Sequence, residues 1–129
     1  MPVVGGYHHV HLISADPEGA ARWLERFLGA RVEGREEARG ARNVILRIGE
    51  AALSVRTQRP EDNLAPSDGR TRPGLDHVCF LVDGLAGMLG DMKRGGVTVE
   101  LEIPGPAGGS AAAFVRGPEN VLFELIQAK

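Results

Sequence analysis

Two short segments of the chain are copies of one another: Tyr7-His8-His9-Val10-His11-Leu12-Ile13-Ser14 and Leu75-Asp76-His77-Val78-Cys79-Phe80-Leu81-Val82. Each carries a histidine in third place, His9 and His77, so a duplicated unit repeats a metal-grade side chain and one site can be assembled from two halves. A later apolar run, Val121-Leu122-Phe123-Glu124-Leu125-Ile126, adds a single carboxylate. A carboxylate amid apolar strand residues is costly unless it is paired or coordinated. Two histidines and Glu124 on one side of a divalent cation satisfy that demand and leave positions open for water, substrate or dioxygen. Non-haem Fe(II) uses this set, and Mn, Zn, Ni or Co can use it too. The competing account leaves His9 and His77 as satisfied core histidines and pairs Glu124 with an arginine, Arg56 or Arg47.

The elements that must position these residues repeat as well. After the first copy, Asp16-Pro17-Glu18 reads as a helix start, with Asp16 as N-cap and proline at the first helical position. Ala20, Trp23, Leu24, Phe27 and Leu28 then share one helical face, and Gly29 ends the helix. The second copy continues through Asp83 into 85–94 and stops at Gly95-Gly96; Gly87 and Gly90 weaken this helix by up to ~1 kcal/mol each. Three strand-like stretches follow each helix: about 30–37, Ala41–Ile48 and Ala51–Thr57 in the first half, about 97–103, Ser110–Val115 and Val121–Gln127 in the second. Each half therefore reads βαβββ. We expect one domain over 1–129, with repeat one at about 5–57, a turn-rich linker at about 58–74 and repeat two at about 75–127.

Side chains alternate faces along a strand. Val10 and Leu12, and likewise Val78, Phe80 and Val82, are expected under the helices with Phe123 and Leu125. The opposite face then presents His9, His11 and Ile13 in one half, and His77, Cys79, Leu81 and Glu124 in the other. His11 is placed to act as a base beside the site, or as an extra ligand. Cys79 is expected to be a small buried hydrophobe, and His8 to point away to the surface. Ser110-Ala111-Ala112-Ala113 leaves room for a ligand, Gly105 to Gly109 is a candidate lid, and arginines 47, 56 and 116 either recognise an anion or lie on a solvated face.

Composition removes other classes. The chain has 129 residues, 43% of them hydrophobic, and a net charge of -2, enough for one core and without the basic patch that nucleic acid or an anionic membrane demands. A single cysteine permits no internal disulfide, and the start of the chain shows no leader pattern, which points to a reducing, cytoplasmic setting. No apolar run approaches the ~20 residues of a spanning helix.

The duplicated βαβββ unit, the His-Val opening of each half and the Phe-Glu-Leu close resemble the vicinal oxygen chelate superfamily, which includes glyoxalase I, bleomycin-resistance proteins, extradiol dioxygenases, methylmalonyl-CoA epimerase and fosfomycin-modifying thiol transferases. The resemblance covers about residues 5 to 127. It implies an α+β fold in which the two repeats form a cupped, incompletely closed mixed β-sheet barrel with the helices outside. It also implies a homodimer, a small-molecule substrate and one divalent metal ion held by His9, His77 and Glu124, with His11 as the catalytic acid or base. Dioxygenase, thiol transferase and lyase chemistry are all represented, and metal-free binding of the bleomycin-resistance type is the alternative. Glyoxalase I and the epimerase carry a fourth ligand on the last strand of the first half; here that place falls on Ser54, or on Arg56 if the register slips by two. Glu50 lies four residues back from Ser54, roughly 13 Å along a strand, too far to substitute. Two histidines and one glutamate resemble the dioxygenase and fosfomycin branches better.

Overall fold

The computed structural model describes residues 2–129, and the chain divides between Ala65 and Pro66 into two compact halves. The first half contains strand β1 (Val10–Ile13), helix α1 (Pro17–Leu28), and strands β2 (Arg31–Ala38), β3 (Ala41–Ile48) and β4 (Ala51–Arg56). The second contains β5 (Val78–Val82), α2 (Leu85–Arg94), β6 (Val99–Pro104), β7 (Ser110–Arg116) and β8 (Leu122–Gln127). Both halves are βαβββ, so the fold is α+β with two repeats.

The two sheets have the same topology. Strand order is β1-β4-β3-β2 in one and β5-β8-β7-β6 in the other. In each, the first strand runs parallel to the last and the remaining pairs are antiparallel, which gives two open, mixed, four-stranded sheets. A parallel neighbour needs a long crossover, and the helix with two following strands supplies it.

Local chemistry sets the helices. The Asp16 carboxylate accepts from the Gly19 backbone N–H at 3.0 Å, Pro17 opens α1, and Gly29 closes it in the left-handed conformation at φ 67°. The buried stripe is Ala20, Ala21 and Leu24, rotated from the expected face. Trp23 and Phe27 lie on its flank with their rings 5.3 Å apart, and the Arg26 guanidinium sits 4.6 Å from the Phe27 centroid. Small residues at 20 and 21 let the helix backbone approach the sheet, which displaces the aromatics to the rim. Helix α2 has no side-chain cap of its own, since Gly84 holds the N-cap position. Instead Gln127 of β8 reaches back, and its Oε1 accepts from the Leu85 N–H at 2.8 Å.

Alternation along the last strand behaves as expected. Phe123 and Leu125 are fully buried with Val115, Ala113, Leu85, Leu89 and Met92, whereas Glu124 between them is only half-buried. The core of the first half is Leu24, Val44, Leu46, Leu53 and Val55. The 105–109 segment is a hairpin turn closed by its own backbone, with the Gly105 N–H donating to the Gly109 carbonyl at 2.9 Å. Phe123→Ala should destabilise the protein by about 3–5 kcal/mol through lost burial and a cavity, measured by urea unfolding. A loss below ~1 kcal/mol would contradict the placement of this face in the core.

Candidate functional site

Ladder register decides which side chains meet. In the second half Cys79 of β5 lies opposite Glu124 of β8, and Glu124 lies opposite Phe114 of β7. These three share the face turned away from α2, and His77, two residues before Cys79, joins them. His77 Nε2 is 3.2 Å from Glu124 Oε1, with side-chain exposures of 31% and 17%. The Phe114 ring meets the His77 ring edge-on at 5.1 Å between centroids. Phe114 was not legible as a site residue from the sequence, because its place depends on which strand pairs with β8.

The other nitrogen of His77 is also held. Its Nδ1–H donates to the Asp76 carboxylate at 2.8 Å. Asp76 first and Glu124 after it raise the His77 pKa above the ordinary histidine value. The imidazole is thus oriented by one carboxylate while Nε2 faces another, the arrangement by which proteins present a histidine to a metal. When His77 is protonated, its Nε2–H faces the Glu124 carboxylate as the cationic side of the pair. Asp76 escaped the sequence reading, although its position next to the duplicated histidine was the available signal.

No arginine or lysine among the described residues pairs with Glu124. Arg56 Nη1 is bound to Asp62 at 2.9 Å, Arg47 to Glu33 at 3.2 Å and Arg116 to Glu100 at 3.0 Å. The arginine-paired account of Glu124 therefore fails, and all three arginines considered for anion recognition are engaged by acids of their own half. Cys79 departs from expectation: the residue is exposed, not a buried hydrophobe. Its thiol is hydrogen-bonded to Glu124, and burial at that end, followed by the carboxylate charge, pushes its pKa up to about 11. It stays a protonated donor near neutral pH and is a poor nucleophile.

The first half carries the duplicated histidine in a different setting. His8 and His9 are both exposed, and their Nδ1 atoms lie 2.8 Å apart, so Nε2 of His9 is the nitrogen not engaged by its neighbour. The His9 and His11 rings meet at 5.4 Å. His11 lies opposite Ser54 of β4, as Cys79 lies opposite Glu124. Ser54 thus occupies the place in the first half that Glu124 occupies in the second, and Arg56 is excluded from it by register. His11 Nε2 is bonded to Asn43 Oδ1 at 2.9 Å. Its pKa is lowered, chiefly by burial of the ring nitrogen. Among the described residues, no three His, Cys, Asp or Glu side chains gather as a group fit to hold a metal ion.

The Glyoxalase/Bleomycin resistance protein/Dioxygenase superfamily profile matches residues 8–114. No curated protein matches the chain. Among solved structures, a glyoxylase/bleomycin resistance protein/dioxygenase domain from Frankia sp. EAN1pec is similar at 21% identity and TM-score 0.78, covering 98% of this chain and 100% of that one. A mutant of the fosfomycin resistance protein FosX from Listeria monocytogenes, complexed with Mn(II) and 1S,2S-dihydroxypropylphosphonic acid, is similar at 17% identity and TM-score 0.74, covering 98% and 95%. A glyoxalase family protein from Bacillus cereus reaches TM-score 0.80 at 15% identity, covering 97% and 95%.

Opposite pKa shifts give a direct check. In metal-free protein, His77 should titrate above the ordinary histidine value and His11 below it, followed by NMR of the imidazole protons. Asp76→Asn should bring His77 back down and leave His11 unmoved. Because the His77 value is raised on folding, its ion-pair contribution to stability is fully present below the ordinary value and is lost as pH rises through the raised one.

Proposed function

The chain belongs to the glyoxalase/bleomycin resistance protein/dioxygenase superfamily, and we propose that it is an enzyme that holds one divalent metal ion on His9, His77 and Glu124 and chelates two neighbouring oxygens of a small substrate. The observation that carries this reading is the half-buried Glu124 carboxylate facing Nε2 of His77, with Asp76 on Nδ1 and no arginine or lysine beside it among the described residues. Hydrogen bonding by Asp76 fixes the ring and strengthens it as a ligand, and the Phe114 edge limits its rotation. A bound divalent ion supplies Lewis acidity, drawing charge from the substrate oxygens it holds.

The other residues divide the remaining work. His11, whose pKa lies below the ordinary histidine value, is the group fit to accept a proton from substrate at its ring nitrogen. Cys79 donates an S–H hydrogen bond to Glu124 and so lowers that carboxylate's demand for other partners. Ser54 stands where isomerases of the family have a carboxylate, so proton shuttling between two carboxylates has no second member. Two histidines and one glutamate leave dioxygen-dependent and thiol-transfer chemistry as the routes that this donor set supports. Mn(II) in the FosX structure supports the choice of a divalent ion.

Protein purified without chelators should contain about one divalent ion per chain. His77→Ala and Glu124→Ala should each abolish it, and Asp76→Asn should weaken it by about 10–100-fold, read by elemental analysis and competition with a chromogenic chelator. Clean absence of metal together with tight ligand binding would replace this reading with a metal-free binding module.

His9 must come from a first half, either of the same chain or of a second copy in a twofold dimer. Mixing His9→Ala chains with Glu124→Ala chains under demonstrated subunit exchange decides between them. Recovered metal binding shows a site shared by two copies. No recovery, with dimers present, shows a site within one chain.

A further inference from the structure

We infer that Asn43 is a positioning residue that fixes His11 as the Nε2–H tautomer, so that Nδ1 is the ring nitrogen left to accept a proton. This rests on the reading of His11 as the acid–base residue. Asn43 is buried, with 5% of its surface exposed, and it projects from β3, two strands away from His11 with β4 between them. Its amide orientation is set by a second contact, since Nδ2 donates to the Ala41 carbonyl at 3.3 Å. Oδ1 therefore faces His11 Nε2 at 2.9 Å. A carbonyl oxygen can only accept, so Nε2 must carry the hydrogen. In the neutral ring the lone pair then lies on Nδ1.

The bridge also assigns His11 between its two possible roles. A nitrogen that donates to Asn43 cannot coordinate a cation, so His11 is not a ligand through Nε2. The small buried Ser54, opposite His11 on the intervening strand, leaves Asn43 room to reach across β4.

The test is heteronuclear NMR of the imidazole nitrogens in the full metal-free chain, above the ordinary histidine pKa. The expected spectrum shows the Nε2–H pattern for His11, with an Nε2–H proton that exchanges slowly with water. Asn43→Leu should accelerate that exchange on the order of tenfold or more, while Asn43→Asp, which keeps an acceptor oxygen, should preserve the protected proton. An Nδ1–H pattern in the native chain overturns the assignment, whether or not the leucine variant folds, and so does unchanged protection in a folded Asn43→Leu. The spectrum needs no turnover. The Nε2–H tautomer in a protein whose turnover survives His11→Ala would support the Asn43 assignment and refute only the acid–base role.

Discussion

Everything at the candidate site depends on the parallel pairing of the first and last strands within each half. Residues 77 and 124 are distant in sequence, and only the β5–β8 ladder brings His77 Nε2 to Glu124 Oε1. The same ladder fixes polarity: with Phe123 and Leu125 committed to the core, Glu124 has no choice but the opposite face. A slip of one residue would bury the carboxylate under α2 and expose two large apolar side chains. The hydrophobic core therefore holds the charged group in place by exclusion.

The two halves share a topology and have diverged in what they carry. In the second, the pair across the first and last strands is Cys79 and Glu124; in the first it is His11 and Ser54. Serine at 54, in place of a carboxylate, leaves the space through which Asn43 reaches His11. The second half pairs His77 with Glu124 and aligns the imidazole through Asp76. The first half keeps His9 beside a histidine whose nitrogens are sorted by an amide. On the proposed reading, the duplicated unit divides coordination from proton handling.

Much of this was legible in the sequence, because the signals are local. Asp16-Pro17 and Gly29 mark the ends of α1, period-two alternation places Glu124 opposite Phe123, and the copied His-Val segments expose the repeat. What the sequence hid depends on strand order. Phe114 and Asn43 reach the site only because β7 flanks β8 and β3 flanks β4, and neither carries a local mark of function. The exposure of Cys79 followed from the same alternation that placed His77, but a small sulfur residue in an apolar run reads as core. The burial stripe of α1 moved to Ala21 because close helix–sheet approach favoured small side chains over the larger aromatics.

Gln127 ties the frame together at its far end. By accepting from the Leu85 N–H while its own strand pairs with β5, it couples the start of α2 to the strand that holds Glu124. Sliding β8 along β5 would uncap the helix as well as break the ladder, so the two elements resist displacement as one body. The entropy of fixing the carboxylate is consequently met when the chain folds. On the proposed reading, a cation would find this donor already immobilised and would spend little of its binding energy on ordering the strand beneath it.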